Sequence, residues 1–207
     1  MNTGHEVTIN GVTLAGPAVP RQNELFTAAA LGFLAQLHNE FAARIAELAT
    51  FSQPRREPAE ASADWQALVG RNLAEPPSTF VYPRRLARTE ERILCAGSPM
   101  SAGIVDFGLH IHRNAHRLLS EGRAPFMSLL GMESEEELQL WQDLFVRAEE
   151  LLGLPDGAIR AIHMQPGVPV EDEGEDGQAS SAAVLMVRTQ PTPVVSAQPM
   201  AGVRAAA

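Results

Sequence analysis

The chain has 207 residues, 45% of them hydrophobic, and sets 16 Lys and Arg against 25 Asp and Glu for a formal net charge of -9. That apolar content is enough to build a buried core, while the acidic balance leaves no basic footprint for nucleic acid or an anionic membrane. The single cysteine, Cys95, excludes an intramolecular disulfide framework and suits a reducing compartment. No run approaches the roughly 18 apolar residues of a membrane span. The opening MNTGHEVTING lacks a basic region followed by an apolar core, and the closing Arg204-Ala205-Ala206-Ala207 is not a peroxisomal address. The expected compartment is the cytoplasm.

In chain order, Val7-Thr8-Ile9 and Val12-Thr13-Leu14 flank Asn10-Gly11, a strong local hairpin signal. From Thr27, a good N-cap, Leu34, Leu37, Phe41, Ile45 and Leu48 recur at three and four residues, which predicts an amphipathic helix to about Ala49. These pieces make a first unit, 1–50. Pro54 and Pro58 among charges and alanines read as the core of a linker, 51–75.

The next unit, 76–166, alternates strand and helix. Ser78 to Tyr82 and Arg92 to Ala96 predict short strands, with Pro83 marking an end or turn between them. Ile104 to Ser120 predicts a helix with Leu109, His112, Ala115 or His116, and Leu119 on one stripe, ended by Gly122. Phe126 to Leu130 is a short apolar run of the buried parallel-strand kind. The following helix carries the clearest signals. Ser134 and Glu137 form a reciprocal capping box, Leu138, Trp141, Phe145 or Leu144, Ala148 and Leu152 make its apolar face, and Gly153 and Pro155 stop it. Ile159 to Met164 predicts another strand, so the pattern is that of a parallel α/β sheet. Beyond it lies the acidic run Glu171-Asp172-Glu173-Gly174-Glu175-Asp176-Gly177 and an Ala-, Pro-, Ser- and Val-rich remainder, which predict a disordered tail over 167–207.

The stretch from Gly103 to Pro166 resembles the second half of the malate synthase barrel. The resemblance is carried by Asp106-Phe107-Gly108-Leu109 with Asn114-Ala115, by Ala124-Pro125-Phe126 through Met132-Glu133-Ser134, and by Leu140-Trp141-Gln142-Asp143-Leu144-Phe145. Ala148-Glu149-Glu150-Leu151-Leu152-Gly153-Leu154-Pro155 and Ile162-His163-Met164-Gln165-Pro166 complete it. Upstream, Leu25 through His38 with Phe41 is similar to a family helix near the N-terminus, and Trp65 through Leu73 to a W-x-N-L segment. Nothing in Phe51 to Asp64 matches the family's ITGP and MADFEDS strands, and its C-terminal aspartates, one for magnesium and one acting as the base, have no counterpart. The resemblance implies condensation of acetyl-CoA with glyoxylate to malate and CoA, a glyoxylate-cycle reaction using Mg²⁺.

A complete eight-stranded barrel takes about 250 residues. The expected fold class is therefore α/β, an incomplete TIM-type β/α barrel with flanking helices and the disordered tail. By the resemblance, Tyr82 stands where the family's V-R-P-R-G-W-H strand has the arginine that polarises glyoxylate, and Gln165 where its I-E-T glutamate binds magnesium. A tyrosine lacks the guanidinium's paired donors, and an amide is a poorer ligand than a carboxylate for a hard cation. Both the catalytic and the metal site are thus expected to be degenerate, with Mg²⁺ not bound.

Other constellations compete with blander readings. Arg84, Arg85 and Arg88 form a candidate anion-binding cluster, set against a solvated loop. Of His110, His112 and His116 only the last two share a helical face, and no ligand set accompanies them, which favours a structural role over metal. Asp106-Phe107-Gly108 duplicates a kinase tripeptide without the rest of that machinery. Cys95 has no neighbouring base and reads as a small buried thiol. The acidic run lacks EF-hand spacing. Three function classes follow: a malate synthase, a noncatalytic relative that self-associates or docks on a partner through exposed sheet edges, and a decayed chain without a stable fold.

Overall fold

A computed structural model describes residues 7–51, 65–130, 134–165 and 183–187. The strands β1 (Val7–Ile9) and β2 (Val12–Leu14) form the expected hairpin, with Asn10 at φ 52° and Gly11 at φ 75°, the left-handed pair that a two-residue turn requires. A short helix α1 (Gln22–Leu25) leads into the long α2 (Ala28–Phe51), whose first turn is capped by the Thr27 hydroxyl accepting from Ala30 N at 3.2 Å. Helix α3 (Trp65–Asn72) then precedes β3 (Phe80–Val81), β4 (Thr89–Cys95), β5 (Ser98–Ser101), α4 (Ala102–Ser120), β6 (Phe126–Leu130), α5 (Glu135–Leu152), β7 (Arg160–Gln165) and β8 (Ala183–Val187).

Two four-stranded sheets result. One is antiparallel, in the order β1-β2-β4-β5, so the N-terminal hairpin is stitched to the middle of the chain through Val12↔Cys95 and Leu14↔Ile93. The other has the order β3-β6-β7-β8, with β3, β6 and β7 mutually parallel and β8 antiparallel to β7. The α/β expectation holds for β6-α5-β7, a strand-helix-strand unit. The described residues form no closed barrel, and the antiparallel sheet lies outside the barrel expectation altogether.

Helix α4 sits between these layers. Every residue from Ala102 to Ile111 is buried, as in a helix apolar on all sides. Gly108 permits α2 to cross it closely, since a Cβ there would lie 2.5 Å from Leu34 Cδ2. Phe107 meets Trp141 edge-on at 5.9 Å and Phe145 at 5.3 Å, joining α4 to α5 in one core. Exposed ion pairs Arg44–Asp143 (2.7 Å) and Arg147–Glu40 (2.7 Å) trim the α2–α5 seam and contribute little in high dielectric.

Two boundary expectations need correction. Residues 65–72 of the expected linker are helix α3. Trp65 is buried, its ring stacks on Phe26 at 4.9 Å and the Arg92 guanidinium covers it at 4.4 Å, so tertiary burial overrides a composition that reads as spacer. Within the expected disordered tail, Ala183–Val187 is a strand on the edge of β7, because its apolar run can pair there. The proline- and charge-rich 52–64, the acidic run, and the remainder of 167–207 lie outside the described residues.

Helix α5 begins as expected. Ser134 adopts an extended conformation and its hydroxyl accepts from Glu137 N at 3.2 Å, which is the hydroxyl arm of the capping box. Gly153 at φ 62° closes the helix. Ser134→Ala is expected to cost about 1 kcal/mol, seen as a fall of roughly 2–4 °C in the thermal midpoint. An unchanged midpoint would place the start of α5 elsewhere. Buried Glu149 then fixes the turn into β7, its carboxylate accepting from Gly157 N at 2.9 Å and Ile159 N at 2.7 Å. Burial pushes its pKa above the ordinary carboxylate range despite those donors.

Candidate functional site

The C-terminal ends of parallel strands are where α/β folds collect their chemistry. Here that edge carries Tyr82, just past β3, and Gln165, the last residue of β7, separated by strand β6. Adjacent strands are spaced about 4.8 Å apart and the register sets Gln165 three residues further along than Tyr82, so the two positions are roughly 14 Å apart. Tyr82 is 47% exposed.

Two residues on, the chain turns inward. Arg84 is only 4% exposed and faces Asp106 at 3% and Glu90 at 7%. Its Nε donates to Asp106 Oδ2 at 2.8 Å and its Nη2 to Asp106 Oδ1 at 2.9 Å, a bidentate pair. Nη1 donates to Glu90 Oε2 at 2.7 Å, and the Arg84 backbone N–H adds a further bond to Asp106 Oδ2 at 2.9 Å. Burial disfavours the guanidinium charge, but the bonds from Asp106 and then Glu90 outweigh it and hold the pKa above the ordinary value.

Local backbone makes this geometry accessible. Ser101 caps α4 by accepting from Ile104 N at 3.4 Å while donating to Leu86 O at 2.7 Å. Gly103 lies so close to the loop that a Cβ would stand 2.7 Å from Arg84 O, so the start of α4 can lie against residues 84–86 only without a side chain at this point.

The expected anion-binding cluster therefore needs correction. Arg84 is committed to two carboxylates of its own chain and offers no free face to an anion. Arg85 is half-buried and Arg88 exposed, with Arg88 O accepting from Ala102 N at 2.7 Å. The pairing of Arg84 with Asp106 was missed from sequence, although a signal exists. Asp106 sits among Ile104, Val105 and Phe107, and a charge in a helix that is apolar all round demands a buried partner.

The three histidines do not converge. His110 is 3% exposed, with Nδ1 3.3 Å from Asn114 Nδ2 and Nε2 buried without a partner. His112 lies against the Phe33 ring at 5.6 Å, and His116 Nε2 is 3.0 Å from Leu152 O at the end of α5. Cys95 is buried, its Sγ 3.6 Å from Asn39 Oδ1, and burial raises its pKa, which opposes a thiolate role. Among the described residues no three His, Cys, Asp or Glu side chains are grouped to hold a metal, and no helix is long and apolar enough to cross a membrane.

Comparison with known proteins adds an independent line. A family model for the malate synthase N-terminal domain matches residues 10–49, and one for the malate synthase TIM barrel domain matches residues 79–171. The malate synthase of Myxococcus xanthus (strain DK1622) is 32% identical over 124 residues, covering 58% of this chain and 23% of the relative. That of Streptomyces clavuligerus is 27% identical over 241 residues, covering 72% and 44%, and the glyoxysomal malate synthase of Candida tropicalis is 34% identical over 93 residues, covering 45% and 17%. The chain thus spans less than half the length of each of these relatives. The Streptomyces clavuligerus alignment is longer than this whole chain, so it includes residues of that relative with no counterpart here.

Proposed function

Because this chain belongs to the malate synthase family, we propose that it is a malate synthase-like protein whose strands β3, β6 and β7 are an arc of the family's barrel and which turns over acetyl-CoA and glyoxylate little or not at all. We infer a cytoplasmic pseudoenzyme. The observation that carries this reading is the position of the cations. Tyr82 stands where the resemblance puts the polarising arginine, and Arg84, the first cation after it, is buried against Asp106 and Glu90. The reaction develops negative charge on an oxygen, and a preorganised cation there is the main source of rate. A phenol offers one neutral donor.

The residues described do not fit Mg²⁺. A hard divalent cation takes about six oxygens, several of them carboxylate or water, and the two buried carboxylates nearest the strand end already receive four hydrogen bonds from Arg84. An ion there would have to displace the guanidinium. Gln165, at the resemblance's metal position, brings no charge.

Release of free CoA from acetyl-CoA, glyoxylate and Mg²⁺ tests the reading against a full-length synthase at equal concentration. The expected rate is below that enzyme's by more than a hundredfold to a thousandfold, the loss that follows removal of one strong oxyanion donor. Activity within about a hundredfold would show that another cation takes the place of the one missing at Tyr82. A noncatalytic interaction role is the second reading, favoured by the exposure of Phe80 and Tyr82 beside each other on the sheet.

A further inference from the structure

The sheet β3-β6-β7 has one face covered by the core and one that is open at Phe80 and Arg160, while Ser128 on that second face is buried. Met127, Leu129 and Ala161 are buried against the core. By the alternation of side chains along strands, Phe80, Phe126 and Arg160 point the other way, and the register puts them in one row across the three strands. The Phe80 and Phe126 rings stack at 5.2 Å with 18° between their planes, and the Arg160 guanidinium lies 5.8 Å from the Phe126 centroid. Phe80 is 44% exposed, Tyr82 follows on the same face, and Arg160 is exposed and enters none of the ion pairs among the described residues.

Pairing through the β3 edge is obstructed. Thr79 O receives Phe126 N at 2.7 Å, so the polar groups of Phe80 face away from β6. There the Ser78 hydroxyl already takes both, accepting from Phe80 N at 3.1 Å and donating to Phe80 O at 2.7 Å. A hydroxyl so placed blunts an edge against an incoming strand. A contact here must therefore be made by side chains on the open face.

We propose that this face docks an extended acidic segment of a partner protein, with an apolar side chain on the Phe80–Phe126 shelf and a carboxylate on Arg160. Local charge complementarity selects the occupant: a stacked ring pair ending in a guanidinium that enters no ion pair among the described residues suits an apolar residue followed by Asp or Glu. Three strands span roughly 10 Å, and an extended chain repeats its side-chain direction every second residue at about 7 Å, which a glutamate side chain can bridge. The recognised pattern is therefore an apolar residue and an acidic one two positions apart. This surface is independent of CoA release, so the two tests fail separately.

The test is fluorescence anisotropy of a short labelled peptide of alternating Leu and Glu titrated with the full chain, beside peptides with Lys for Glu and with Ser for Leu. The Leu–Glu peptide is expected to bind about tenfold or more tightly than either control and to weaken with salt. Arg160→Glu and Phe80→Ser should each weaken it by about tenfold with unchanged far-UV circular dichroism, since both side chains are exposed. Absence of binding by the wild-type chain, equal binding by the variants, or equal binding of the Lys peptide overturns the proposal. So does concentration-dependent self-association in sedimentation that Arg160→Glu abolishes, which would assign the face to a second copy.

Discussion

Arg84→Met is expected to destabilise the protein by about 3–5 kcal/mol, the cost of leaving buried charges unpaired. The guanidinium binds both buried carboxylates, Asp106 and Glu90, through contacts of 2.7–2.9 Å, beside the backbone N–H of Arg84 at Asp106 and that of Arg92 at Glu90. Its removal strands two carboxylates in a space that admits almost no water, and each must either stay charged at great cost or take up a proton. The check is urea denaturation at neutral pH and again at mildly acidic pH, where protonation should return part of the loss. The combined variant Arg84→Met, Asp106→Leu, Glu90→Met should recover most of the stability, because replacing a whole buried network with apolar side chains is commonly neutral or favourable. A single-variant loss below about 1 kcal/mol, the size of an exposed pair, would mean that the network does not form in solution.

His110 gives the second large effect, this time through pH. Burial lowers its pKa from 6.5 to about 4, so the folded protein holds it neutral. In the unfolded chain it titrates near the ordinary value, and between those two values the unfolded state binds more protons. The contribution of the neutral ring is therefore fully present above about pH 6.5 and is lost as pH falls towards 4. By pH 5 the loss from this one group amounts to roughly 2 kcal/mol at 1.36 kcal/mol per pKa unit. His110→Leu should flatten the stability profile between pH 6.5 and 5, measured by urea midpoints, while carboxylates such as Glu40 and Glu121, held low by Arg147 and Arg117, titrate only below that window. His38 and His112, also lowered by burial, leave a residual slope in the variant. An unaltered profile would show that protonated His110 finds a partner or water.

Elements with self-contained signals were legible in the sequence. The Asn10-Gly11 hairpin, α2, β6 and α5 with its Ser134 cap all follow from turn chemistry, periodicity or capping within a few residues of chain. Those that escaped depend on distant partners. Strand β5 contains Pro99 and follows a turn in which Ala96 takes φ 48° and Gly97 φ 84°, a conformation that Ala-Gly does not advertise as Asn-Gly does. Helix α3 has 8 residues, including Gly70, too few to stand alone, and exists because Trp65 finds Phe26 and Arg92. At the candidate site, Tyr82 and Gln165 are singled out by the resemblance alone. The inward turn of Arg84 is not, since it is fixed by Asp106, 22 positions away.

The backbone and side chain of Arg84 both fasten to Asp106, so the path of the chain as it leaves β3 is dictated by α4 and not by the residue at 82. Tyr82, about half exposed and without a side-chain hydrogen bond among the described residues, sits just upstream of that fastening. The fold is therefore indifferent to what occupies the position. On the proposed reading, foldability and turnover part company at this one site, because an exposed position can change its side chain while the scaffold stays intact.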